Sequence, residues 1–282
     1  MQNQPFISVL MTCFNRESFI AESIQSVLNS TYNNFELIIV DDDSTDSSKT
    51  IANFYAKSDD RIRVYENKMN LGDYKNRNHA VSLSKYDYFT FVDSDDLIFP
   101  HTLETMSLAI TEFPNHGAYI MTRHLEPYNL KAYSMTPSEA MYLHFFVNGF
   151  LETGPLGTLF DKEVFYKLGG FSERRMTSDV DYFLRVAIDG PIVRLPSELG
   201  FWRSHVNQET RDGFEYYLLD MILIYKSILK VNGFPIKNYK NRIRIKIYFS
   251  KLYCVLLRVY KTKKIADLKY LYKIFTVKDF VG

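Results

Sequence analysis

Two apolar runs in this chain end in acids. "FELIIVDDDSTD" closes on Asp41, Asp42 and Asp43, and "YDYFTFVDSDD" on Asp93, Asp95 and Asp96. Carboxylates this close repel one another unless water or a cation screens them. Two carboxylates at i and i+2, leaving a strand together, can address one hard divalent ion. Mg²⁺ and Mn²⁺ favour oxygen ligands, commonly a pair of carboxylates plus substrate phosphates. In open parallel sheets, ligands bind outside the carboxyl ends of the strands. Both clusters are therefore expected to face one crevice that holds a metal and, through it, a diphosphate. The plainer account is that Asp and Ser gather at turns and helix caps. Asp96 could cap a helix starting near Pro100, and Ser44 or Asp46 the helix after them. Two clusters at successive crevice-facing strand ends favour the ligand account.

The elements that must position these acids alternate. "FISVLMTCFN", "FELIIVD", "IRVYEN" and "YDYFTFV" read as short buried strands. Between them lie helical patterns: "ESFIAESIQSVLNS", with Phe19, Ile20, Ile24, Val27 and Leu28 on one stripe, then "SSKTIANFYAKS" and "NLGDYKNRNHAVSLS". "PHTLETMSLAITEF" follows with Pro100 in its first turn. Strands alternating with helices predict a parallel, doubly wound α/β sheet over residues 1–113. Residues 114–212 read as a second half: a strand in "AYIMTRHLEPY", a helix in "TPSEAMYLHFFVNG" with Thr136 and Glu139 as a capping box, a strand and short helix with a Gly-Gly stop in "GPLGTLFDKEVFYKLGGF", and an amphipathic helix in "SDVDYFLRVAIDG". Residues 213–282 read as a basic, aromatic helical appendage broken at "VNGFPIKNYKN".

The 282 residues, 46% hydrophobic and 24% charged, suit an ordinary globular protein with a sizeable core. A net charge of only +1 hides an asymmetry: from Lys226 onward the only acids are Asp267 and Asp279. A basic tail implies an acidic partner, and its interleaved Tyr, Leu and Ile suit an anionic membrane surface. The competing account is a helix that lays its apolar face on the protein or on a second subunit and leaves its cations in water. No nucleic-acid module accompanies the charge. Cys13 and Cys254 lack metal-ligand or framework spacing, which suits a reducing compartment. With neither a leader pattern nor an apolar run of spanning length, the expected location is the cytoplasm, peripheral to the inner face of the cell membrane.

The ordered motifs resemble the inverting, family-2 glycosyltransferases of GT-A fold. "SVLMTCFNR" is similar to the first-strand motif, "FELIIVDDDSTDSS" to the nucleotide-binding motif and "NLGDYKNRNHAV" to the Asn-x-Gly…Arg-Asn segment. "FTFVDSDD" resembles the DxD motif, "GGFSERRMTSDVDYFLRVA" the acceptor-side motif that carries the base, and "FWRSHVNQET" the motif that closes the domain. The likeness runs from Phe6 to Thr210. It implies a GT-A catalytic domain over 1–212, with a mixed, mostly parallel central sheet flanked by helices. Its first part would bind the nucleotide-sugar and its second the acceptor.

By the same resemblance, Thr12, Phe14 and Asn15 would line the nucleotide pocket, and Asp42 would bind the base, most often uracil. Arg77 would reach the base or phosphates. Asp93, Ser94 and Asp95 would hold ribose and metal, Mn²⁺ or Mg²⁺. The family usually has Glu-Asp where this chain has Ser178-Asp179, so Asp179 is the expected general base, with Asp181 the second choice. His205 would help hold the metal or diphosphate, or would simply pack. Arg203 would hold a phosphate or pair with an acid, and Trp202 would stack on a sugar or join the core.

These roles suit the chemistry. A divalent ion neutralises a leaving diphosphate, and a base within reach of the acceptor hydroxyl assists its attack. Attack from the far face inverts the anomeric centre, so one carboxylate suffices. The expected activity is a metal-dependent hexosyl- or N-acetylhexosaminyl-transferase. It would take a UDP-sugar or related nucleotide-sugar and a glycan or lipid-linked acceptor in surface polysaccharide assembly, and a homo-oligomer stays open. Processive synthases are disfavoured, because no Gln-x-x-Arg-Trp signature is present. Three rivals remain: a nucleotidyltransferase, whose Gly-rich first loop "MTCFNRES" lacks; a non-catalytic sugar-nucleotide or glycan-binding module; and a membrane-docking scaffold.

Overall fold

The structure, a computed structural model, describes residues 4–121, 131–205, 214–263 and 265–271. An eight-stranded sheet runs through it. Its strands are β1 (Ile7–Cys13), β2 (Phe35–Asp41), β3 (Ile62–Glu66), β4 (Tyr88–Phe91), β6 (Ala118–Met121), β7 (Tyr133–Met135), β8 (Thr158–Asp161) and β9 (Ile192–Leu195), in the order β3-β2-β1-β4-β8-β6-β9-β7. β3, β2, β1 and β4 are parallel, as the alternation of strands and helices predicts. β8 enters antiparallel between β4 and β6, and β7 antiparallel beside β9, so the sheet is mixed. A two-stranded ribbon joins β5 (Leu97–Ile98) to β10 (Gly200–Phe201).

Successive side chains on a strand point to opposite faces, and this alternation sorts the core into two layers. Val9, Met11, Leu37 and Ile39 face α1 (Ile20–Leu28) and α4 (Thr102–Glu112), in a cluster that includes Ile20, Ile24, Leu103 and Met106. α2 (Ser48–Ala56) adds Ala52. Leu10, Ile38, Val40, Phe89 and Phe91 form the other layer with α3 (Asp73–Leu83), α5 (Pro137–Leu143) and α7 (Ser178–Asp189). Aromatic rings fill much of this layer; Phe89 stacks on Phe160 with centroids 5.0 Å apart.

The C-terminal helices α8 (Phe214–Lys230) and α9 (Lys240–Thr262) are built onto this second layer. Met221, Ile224, Tyr225, Ile243 and Ile247 belong to the same buried cluster as the sheet. The domain boundary expected at 212/213 lies outside the described residues, as do the end of the closing motif and the last stretch of the tail.

Local signals are realised in detail. Thr136 accepts from the Glu139 N–H while the Glu139 side chain returns to the Thr136 N–H, giving the predicted capping box. α6 (Lys162–Lys167) stops at Gly169 and Gly170, both at positive φ (80° and 66°), a conformation that favours glycine. Pro100 is displaced from its expected place. α4 begins at Thr102 after His101, so Pro100 precedes the cap and its carbonyl instead accepts from Thr31. Asp96 caps no helix; its carboxylate accepts from the Arg203 backbone N–H at 3.0 Å.

Candidate active site

The parallel strands deliver their carboxyl ends to a cleft of about 790 Å³. Thr12, Phe14, Asn15, Asp42, Arg77, Asp93, Ser94, Asp95, Asp179 and Trp202 all line it. Ten residues singled out along some 190 positions of sequence thus meet in one concavity. Asp181, Arg203 and His205 do not line it.

The loops after β1 and β2 brace each other. Asn15 sits at φ 52°; its N–H donates to Ser44 Oγ at 2.9 Å, and its Oδ1 accepts from the Thr45 N–H at 2.9 Å. Asp42 is buried and accepts from Asn67 Nδ2 (2.6 Å), the Leu71 N–H (2.9 Å) and the Gly72 N–H (3.0 Å). It therefore fastens residues 67–72 to the cleft, whatever else it touches.

The acidic cluster has positive neighbours within the protein. Arg77, buried, grips Asp93 through two bonds of 2.7 and 3.0 Å and reaches Asp73 at 2.8 Å. Such forked pairs are the strong, geometrically specific kind. Arg16 Nε donates to Asp95 Oδ2 at 2.9 Å while its NH1 holds the Phe14 and Asn15 carbonyls. His205 Nε2 lies 2.9 Å from the same Asp95 oxygen, with its ring stacked on Phe19. His205 is thus set against the cluster from outside the cleft. Arg203 pairs with Glu22 at 2.9 Å.

Electrostatics separates Asp95 from Asp96. Burial opposes the charge of Asp95, but the His205 hydrogen bond and the Arg16 charge outweigh it and hold the carboxyl below the usual range. Asp96 is pushed up to about 8, first by burial and then by the neighbouring Asp93 charge. Carboxylate oxygens of Asp93, Asp95 and Asp96 lie within 4.8 Å of one another. Three hard oxygen donors at this spacing, with Asp96 disfavoured as an anion beside Asp93, fit a small divalent cation.

On the second side of the cleft, Asp179 occupies the first turn of α7. Its Oδ1 accepts from the Val180 N–H at 2.8 Å. Burial pushes its carboxyl up to about 6, against the opposing pull of that N–H, the Arg77 charge and the Tyr74 hydroxyl. Asp181, two residues on, is turned away into an ion pair with Arg185 at 3.1 Å, and Arg185 in turn holds the Leu168 and Gly170 carbonyls. Ser178, standing where a glutamate is usual, is buried beside the Ser172 and Arg174 carbonyls and ties the preceding loop to α7.

Among the residues that line the same cleft, Arg16, Tyr74, Glu152 and Tyr217 received no individual role from the sequence. Arg16 stands one residue beyond the first-strand motif's Asn15, which is the signal that could have found it. Tyr217 lies on α8, in the segment read as an appendage, and nothing local marks it.

Residues 8–169 match the family model described as Glycosyl transferase family 2. The chain is 32% identical over 250 residues to a putative glycosyltransferase, EpsE, of Bacillus subtilis, across 85% of this chain and 87% of that one. It is 39% identical over 103 residues to a putative colanic acid biosynthesis glycosyl transferase, WcaA, of Escherichia coli, across 36% of this chain and 37% of that one. The fold superposes on S. aureus TarS 1-349 in complex with UDP-GlcNAc with a TM-score of 0.68 at 20% identity, over 84% of this chain and 70% of that one. The mixed sheet, its flanking helices and its C-terminal helices are those of a GT-A fold. With the family model spanning more than half of the chain and EpsE aligned over most of both proteins, the chain belongs to glycosyl transferase family 2.

Proposed function

We propose that this glycosyltransferase moves a hexosyl or N-acetylhexosaminyl group, with inversion, from a UDP-sugar to a hydroxyl of a glycan or lipid-linked acceptor in surface polysaccharide assembly. The observation that carries this reading is one cleft lined both by Asp93 and Asp95 and by Asp179, a carboxylate poised near neutrality. A base should titrate just below its working pH, so that it is ionised yet still basic. The acceptor oxygen attacks the anomeric carbon as Asp179 takes its proton. The bond from that carbon to the diphosphate oxygen breaks with its electron pair, and nucleoside diphosphate leaves. A divalent ion held by Asp93 and Asp95 would supply charge neutralisation for that leaving group. Arg77 and Arg16 orient the two carboxylates. The UDP donor is supported by the UDP-GlcNAc in the TarS complex, and the polysaccharide setting by the colanic acid role in WcaA's name.

The test is a release assay with UDP-, GDP- and dTDP-sugars, with Mn²⁺ or Mg²⁺ and with chelator, beside Asp95→Ala and Asp179→Asn. Metal-dependent release from a UDP-sugar, lost in both variants, is expected. Donor binding without release, even with an acceptor glycan extract present, would instead favour a non-catalytic binding module.

A membrane setting fits the outer face of α9. Ile243, Ile247 and Val255 are buried against the protein, while Ile245, Phe249, Tyr253, Leu256 and Tyr260 are exposed. At 100° per residue the second set forms a stripe opposite the first. Exposed Arg242 and Lys246 accompany it, and α9 has no acid. An apolar stripe with only cationic charge complements an anionic bilayer. No helix among the described residues is long and apolar enough to cross a membrane. Co-sedimentation with phosphatidylglycerol vesicles but not phosphatidylcholine vesicles, lost in Phe249→Ser/Leu256→Ser, is expected. A dimer that the double variant dissociates, without vesicle binding, would assign the stripe to a second copy instead.

A further inference from the structure

Glu152 lines the cleft but takes no part in the chemistry assigned to Asp93, Asp95 and Asp179. Its carboxylate is accessible from the cleft, yet four other residues converge behind it. Tyr217 of α8 donates its hydroxyl to one carboxylate oxygen at 2.7 Å, and Tyr225, two turns on, donates to the other. Lys251 of α9 is only 4% exposed, with its ammonium 5.3 Å from the Tyr217 ring centroid and 5.7 Å from that of Tyr225. His144, also buried, places Nε2 3.2 Å from the Tyr225 hydroxyl.

Lysine is rarely buried this far without a charge to answer. Burial works against ionisation of Glu152, but the Lys251 charge and the two tyrosine hydroxyls prevail and hold its carboxyl below the usual range. It is thus the opposite of Asp179: a fixed anion and a poor base. A carboxylate oxygen can accept more than one hydrogen bond. With one tyrosine on each oxygen, each keeps acceptor capacity toward the cleft. Two parallel acceptors on one rigid group match two neighbouring donors, such as adjacent hydroxyls on a pyranose ring.

We propose that Glu152, positioned by Tyr217, Tyr225 and Lys251, is an acceptor subsite that accepts hydrogen bonds from two adjacent hydroxyls of a neutral sugar. The proposal rests on the transferase reading above. It makes the C-terminal helices α8 and α9 part of the acceptor site. A uronic acid is selected against, because its carboxylate would face that of Glu152.

The experiment uses the full chain saturated with UDP and a panel of methyl glucosides, galactosides, mannosides and a methyl glucuronide, with binding read by saturation-transfer NMR. At least one neutral glycoside is expected to bind, and the glucuronide more weakly. Glu152→Gln should weaken that glycoside about tenfold, the effect typical of a lost charged hydrogen bond. Tyr217→Phe should weaken it less. In Lys251→Met, glycoside binding should fall between pH 7 and pH 5.5 while the native protein holds, a change that loss of packing alone would not give. UDP binding by each variant reports an intact fold. Unchanged glycoside affinity in Glu152→Gln, or a native protein that binds UDP but no glycoside, overturns the subsite. A native protein that fails to bind UDP overturns the donor reading beneath it instead.

Discussion

Replacing Asp179 by Asn should abolish transfer and, at the same time, stabilise the fold. The carboxyl's ordinary value is 3.8, and burial lifts it to about 6 in the folded protein. A group whose folded pKa is raised makes the ionised protein less stable. That penalty is full above the folded value and disappears as pH falls toward the unfolded one. A shift of about two units at ~1.4 kcal/mol each sets an upper bound of about 3 kcal/mol at pH 7.5. Partial solvent access lowers it to about 1–2 kcal/mol. Asn carries no charge and can still accept from the Val180 N–H through its own Oδ1. The assay is urea unfolding of native and Asp179→Asn protein at pH 7.5, 6 and 5, beside donor release at each pH. The variant should be more stable at pH 7.5, with the gap narrowed to about half by pH 5. Release by native protein should fall about tenfold from pH 7 to pH 5, following the ionised fraction of the base. A variant less stable at every pH, or a gap independent of pH, would refute burial as the cause of the shift.

Other outcomes follow from the same contacts. Arg77→Met leaves Asp93 and Asp73 without their shared guanidinium; breaking a buried pair on one side should cost about 3–5 kcal/mol in urea unfolding. Addition of a divalent ion should recover part of that loss if the cluster binds one. Thr136→Ala removes one half of the capping box at α5 and should cost about 1 kcal/mol, with donor affinity by calorimetry unchanged. Gly117→Ala would set a methyl 2.7 Å from Val186 Cγ2 and 2.9 Å from Val164 Cγ1. Such overpacking should cost about 1–3 kcal/mol, which the added Val186→Ala should relieve in part, since the Val164 contact remains.

Much of the nucleotide half is legible in the chain because its signals are local. Hydrophobic runs of strand length, helical stripes between them and acids at the strand ends specify β1 to β4, and the parallel rule then sends those ends to one crevice. The capping box at Thr136 and the stop at Gly169-Gly170 are local in the same sense. The antiparallel entry of β8 between β4 and β6 is different. "GTLFD" reads as a strand, but nothing within it names its neighbours, since pairing is settled by which edges remain when the chain collapses.

The same division runs through the site. By itself the sequence placed Asp42, Asp93, Asp95 and Asp179 on the cleft, because their places at strand ends and at a helix start are set by near neighbours; that Glu152 joins them and Asp181 does not was left to the packing. Tertiary structure alone decided what each became. Asp179 and Glu152 are both carboxylates on one cleft, yet burial pushes the first up to about 6, while Lys251, arriving from a helix some hundred residues later, holds the second below the usual range. The charge state of a carboxyl depends on the dielectric and the charges within a few ångströms, and those come from segments whose meeting no local pattern records.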